Sequence, residues 1–111
     1  MMETVALRTL AHSRTGDKGD TSNISVIAYR WEDFEVLREQ VTVERVRAFF
    51  AELLPEGAVV KRHELPTLGA LNFVLHGILK GGVTRALALD AHGKSLGAAL
   101  LDLPITPTPH A

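Results

Sequence analysis

The stretch "SRTGDKGDTSN", residues 13–23, lies between two segments of alternating side chains, and that placement commits the chain to a sheet. Before it, Thr4–His12 sets Val5, Leu7 and Ala11 on one face and Arg8 and His12 on the other, the period of a strand. After it, "SNISVIAYR" sets Ile24, Val26 and Ala28 against Ser25, Ile27 and Tyr29, and is rich in β-branched residues. Two such strands joined by a glycine-bearing loop form an antiparallel hairpin. Chain reversal needs one residue at positive φ, either Gly16 or Gly19, so the repeated Gly-Asp around Lys18 exceeds what a turn requires.

Downstream, "EDFEVLREQ" begins acidic and spaces Trp31, Phe34 and Leu37 three apart, which predicts a short helix or helical turn. Val43, Val46, Phe49, Phe50, Leu53 and Leu54 recur at helical spacing, with Thr42 as N-cap and Pro55 and Gly57 as terminators. "AVVKRHEL" predicts a strand ending before Pro66. The leucines at 68, 71, 75 and 79, with Ile78, predict a second main helix over 68–79, stopped by Gly81 and Gly82 and carrying Gly77 in its interior for close packing. "VTRALALD", a turn "AHGK" and "SLGAALLDL" predict a closing hairpin, and "PITPTPHA" an extended tail. The expected order is β-β-α-β-α-β-β, an α+β two-layer sandwich of an approximately five-stranded sheet with two main helices on one face. Residues 1–105 would form the domain, and 106–111 a flexible proline-rich tail.

Composition narrows the function classes. A chain of 111 residues with 46% hydrophobic content suits one domain with a real core. The absence of cysteine removes thiolate metal sites and cysteine nucleophiles, and fits a reducing cytoplasm. A formal charge of −1 argues against nucleic-acid binding, and no apolar run approaches the roughly 20 residues of a membrane helix.

Residue chemistry leaves three readings of GDKGD open. Backbone N–H groups at Gly16 and Gly19, with Lys18, Arg14 and the hydroxyls of Ser13, Thr21 and Ser22, would make an anion site. Asp17, Asp20 and Asn23 would offer oxygens to a hard cation. In the third reading the aspartates satisfy loop amides and Lys18 pairs with one of them, a rigid turn and nothing more. A Walker A loop is excluded because Lys18 precedes the second glycine, and a KH loop because this segment follows a strand. An EF-hand is excluded because alternate oxygens and a closing glutamate are missing.

On the helix expected over 68–79, Asn72, His76 and Lys80 would share one face, and Asn72, flanked by Leu71 and Phe73, would need a hydrogen-bond partner. The histidines at 12, 63, 76, 92 and 110 form no H-x-x-x-H pair, and His63 reads as an exposed edge residue. No acid is placed to orient His12 beside Ser13, so a triad has no support. Neither a catalytic set, a metal site nor a cofactor is predicted.

Together, "SRTGDKGDTSNISVIA", "LNFVL", the following "GG" and "LDAHGKSLGAALLDLPI" resemble the AtuA-like family. Specifically, they are similar to the small ferredoxin-fold-like domain at the C-terminus of acyclic terpene utilisation proteins, found also as stand-alone chains. The resemblance spans about residues 5–105. It implies a ferredoxin-like fold and motif positions at Gly16, Asp17, Lys18, Gly19, Asp20, Asn23, Asn72 and Phe73. It further implies a setting in acyclic terpene or branched acyl-CoA catabolism. Ala86 and Ala88 depart from the serine and second basic residue common in the family, which leaves Arg85 as that strand's cation.

The expected function is an accessory or ligand-binding domain working with a larger AtuA-like partner and forming homo-oligomers. Gly16, Asp17, Lys18, Gly19, Asp20, Asn23 and Asn72 are its ligand-binding candidates, for a small polar or acyl-CoA-type ligand. The alternatives are an enzyme acting on an acyl-CoA-type or carboxylate substrate through the GDKGD loop, and a purely structural oligomerisation module.

Overall fold

A computed structural model describes residues 3–18, 21–54, 56–77 and 96–107. Six strands and three α-helices appear among them. The strands are β1 (Val5–Ala6), β2 (Ala11–Lys18), β3 (Thr21–Ala28), β4 (Val60–Leu65), β5 (Ala70–Leu75) and β6 (Pro104–Ile105). The helices are α1 (Phe34–Gln40), α2 (Val43–Phe49) and α3 (Leu96–Leu100). A four-stranded antiparallel sheet has the order β2-β3-β5-β4, and β1 pairs separately with β6. The chain is therefore an α+β sandwich, with the expected single sheet replaced by a four-stranded and a two-stranded one.

Register explains which face is buried. Ala11, Ser13 and Thr15 of β2 stand opposite Ala28, Val26 and Ile24 of β3, and Val26 and Ile24 stand opposite Leu71 and Phe73 of β5. Cross-strand partners project to one side, so this face gathers Ile24, Val26, Leu71, Phe73 and Leu75, all fully buried. The helices cover it with Phe34 and Leu37 from α1, Val46 from α2, and Leu96 and Leu100 from α3. Truncating one of these large side chains to alanine would cost about 2–5 kcal/mol.

Local chemistry fixes the helix ends. Thr42 caps α2 as expected, its Oγ1 accepting from the Arg45 amide at 3.2 Å. The guanidinium of Arg62, on β4, donates to the carbonyls of Arg38 (2.8 Å) and Val41 (3.0 Å), satisfying acceptors that α1 leaves open at its C-terminus. Gln40 closes a two-way bond with Thr106, donating to its carbonyl and accepting from its amide.

Several expectations are corrected. The segment 68–79 is not a helix: Pro66–Leu68 form a 3-10 turn, Gly69 turns the chain at φ +62°, and Ala70–Leu75 form β5. Leu71, Phe73 and Leu75 satisfy the period of a strand as well, and all three are buried on the helix-covered face. Gly77, at φ +82°, follows the strand instead of packing inside a helix. The segment 96–100 is helical where a strand was expected, because Leu96, Leu100 and Leu103, all buried, recur at i, i+4 and i+7.

The strand expected over Thr4–His12 is broken by a 3-10 turn at Leu7–Thr9, and α2 ends at Phe49, before Leu53 and Leu54. Of the three residues spaced three apart, Phe34 and Leu37 are buried and Trp31 is exposed. Pro104–Ile105 are paired with β1, not part of a free tail. "VTRALALD", the turn "AHGK", the "GG" pair and residues 108–111 lie outside the described residues, as do Gly19, Asp20, Lys80, Arg85, Ala86 and Ala88.

Candidate functional site

The hairpin is longer than the glycines suggest. The β2–β3 ladder continues through Gly16 opposite Asn23, Asp17 opposite Ser22 and Lys18 opposite Thr21. Gly16, Asp17 and Lys18 are thus strand residues, and Gly16 is not among the glycines at positive φ. Gly16 therefore contributes no turn amide to an anion nest, since its backbone belongs to the ladder, while Gly19 lies outside the described residues.

Strand parity also divides the hydroxyls of this region. Ser13 and Ser22 lie on the helix-covered face with Thr15, whose Oγ1 accepts from the Gly97 amide at 2.9 Å. Arg14 and Asn23 lie on the other. On that second face the register aligns Arg14, Ser25, Asn72 and His63 in one row across all four strands. The adjoining row holds Gly16, Asn23, Val74 and Lys61.

The two rows are joined by Asn72. Its Nδ2 donates to Asn23 Oδ1 at 2.7 Å and to Ser25 Oγ at 3.0 Å. Asn72 and the segment just after GDKGD thus converge on one surface, brought together by the pairing of β3 with β5. The partner that Asn72 was expected to need is Asn23. The shared face with His76 and Lys80 is lost with the helix that would have created it. Ser25 was missed by sequence reasoning, although it has the parity of Asn23 on the same strand.

Arg14, Asn23, Lys61 and His63 are exposed, while Ser25 and Asn72 are half-buried. Arg14 enters none of the ion pairs among the described residues, which join Arg8 to Asp102, Arg30 to Glu32, Arg38 to Glu35 and Arg62 to Glu64. On α1 the Arg38 guanidinium, hydrogen-bonded to Glu35, holds that carboxyl below the usual carboxylate range. The described residues on the row-bearing face of the sheet include His12, Arg14, Lys61 and His63 but no aspartate or glutamate. The face is therefore basic and polar, in contrast to the chain as a whole.

Beyond the rows the same face becomes apolar. Ile27 and Leu65 flank Ala70 in register, and the His12 and Tyr29 rings lie 5.3 Å apart. Trp31, also exposed, lies near Gly69, its Nε1 donating to the Pro66 carbonyl at 2.9 Å. Among the described residues no group of three or more histidine, aspartate or glutamate side chains is placed to hold a metal. No described helix is long and apolar enough to cross a membrane.

Comparison with protein families returns one description, the AtuA ferredoxin-like domain, matched over residues 5–106. No curated protein and no solved structure matches the chain.

Proposed function

Because the chain belongs to the AtuA ferredoxin-like domain family, we propose that it is an accessory, ligand-binding module that docks on a larger AtuA-like partner through the helix-free face of its four-stranded sheet. The observation that carries this reading is the Asn23–Ser25–Asn72 network, polar groups ordered on an exposed surface. A network that served stability alone would be expected on the buried face, where unsatisfied polar groups are costly. Gly16 and Lys18, at the end of the hairpin, hold register positions on this face and complete the surface offered to the partner, whereas Asp17, opposite Ser22, holds a position on the other face. Gly19 and Asp20, between Lys18 and Thr21 in sequence, belong to the same proposal. Its setting is the catabolism of acyclic terpenes or related branched acyl-CoA compounds, in the cytoplasm.

The test is calorimetric titration of the domain into a larger AtuA-like protein, with wild type and Asn72→Ala compared after circular dichroism shows both folded. Binding by wild type, about tenfold or more weaker in the variant, supports the reading. An absence of binding, or equal binding by both proteins, overturns it.

A further inference from the structure

Gly16 is the residue that neither backbone nor packing explains. Its φ is not positive, and a Cβ built there would meet nothing within 4 Å. In a strand interior glycine is unfavourable, and its uses are a strained backbone or the close approach of another group. With strain absent, close approach remains. The space above Gly16 adjoins Asn23 across the ladder and Arg14 along its own strand. Both open onto the same surface.

The hydrogen-bond inventory indicates what would approach. Asn72 spends both amide hydrogens, on Asn23 Oδ1 and Ser25 Oγ. That leaves the Asn23 amide hydrogens and the Ser25 hydroxyl hydrogen with no acceptor among the described residues. Arg14, likewise outside any ion pair among them, adds a permanently charged fork of donors. Against these donors Asn72 Oδ1 is the one acceptor atom of the network that takes no hydrogen bond from a described residue. Donors and positive charge around a glycine notch match an oxyanion.

We propose that the notch at Gly16, bounded by Arg14, Asn23 and Ser25 and oriented by Asn72, is a receptor for a single oxyanion group, a carboxylate or a phosphate. The inference deepens the docking reading by naming the chemistry of its polar site, but its test needs no partner. The group reaches the face from outside and places one oxygen over Gly16, within reach of the Asn23 amide and the Ser25 hydroxyl. Arg14 pairs with the other oxygens. Asn72 is a positioning residue that holds Asn23 and Ser25 with their hydrogens free.

The experiment is an NMR titration of the whole chain with potassium acetate, and separately with inorganic phosphate, at constant ionic strength. Acetamide serves as the neutral control. Saturable shifts at Asn23, Ser25 and Asn72 with either anion, absent with acetamide, are expected, and Arg14→Gln weakens them about tenfold or more. Gly16→Val fills the notch with a good strand former, so it keeps or raises the melting temperature while losing the response. Non-saturable shifts, an equal response to acetamide, or binding unchanged in Arg14→Gln and Gly16→Val would overturn the proposal. Where a larger partner binds, displacement of the complex by phosphate assigns the oxyanion to the partner, and an undisturbed complex assigns it to a diffusible ligand.

Discussion

Two glycines in this chain answer to opposite demands. A Cβ on Gly97 would lie 2.5 Å from Thr15 Oγ1 and 3.0 Å from Ser13 Oγ, so α3 sits against β2 as closely as it does only because that side chain is absent. Gly97→Ala must push the helix off the strand or rotate Thr15 away from the amide it accepts. We predict a loss of about 1–3 kcal/mol, read as a lower urea midpoint at unchanged slope. Gly16 has open space where Gly97 has a wall. The sequence marks Gly16 through the repeat around Lys18 but leaves Gly97 unremarked, because the hydroxyls that exclude a side chain there are 82 positions away in the case of Thr15.

Elements were legible where their signals were local. Thr42 announces α2 because a cap acts within one turn, and Thr42→Ala should cost about 1 kcal/mol in thermal or denaturant unfolding. The strands flanking GDKGD were legible for the same reason: alternation and β-branching reside in the segment itself. β5 was not legible. Its buried residues Leu71 and Leu75, with Leu68 before them, are spaced three and four apart, so the pattern satisfied a helix equally well. That one misreading carried Asn72 onto a helix with His76, when its actual partners, Asn23 and Ser25, are supplied by β3. Asn72 was correctly marked as a polar residue in need of a partner, but which residue filled that role depended on strand order, which no local pattern encodes. The helix at 96–100 reverses the error: Leu96 and Leu100 bury one stripe, while Ala98 and Ala99 do not distinguish strand from helix.

The molecule as a whole divides its labour between two faces. One face of the four-stranded sheet is spent on the core, under three short helices; the other presents donors and cations beside an aromatic and aliphatic end formed by Tyr29, Ile27 and Leu65. At this scale the fold class was legible from the mixture of periods, whereas the separate β1–β6 pairing was not. It joins two-residue segments at opposite ends of the chain, too short to carry a pattern.

That small pairing has a topological consequence. Val5 stands opposite Ile105, and Gln40 clamps Thr106 beside them, so the chain enters and leaves the domain at a single point. A unit with adjacent ends can be circularly permuted. Closing the ends with a short glycine-serine linker and reopening the chain at Gly57, an exposed residue at φ +79° beyond α2, should yield a permutant that unfolds in one cooperative transition like the parent. A permutant that fails to fold would mean that the connection between α2 and β4 must stay continuous or that β1 and β6 need free ends. A folded one would make the domain a cassette, able to be spliced into a loop of another protein with its donor-lined face still turned outward.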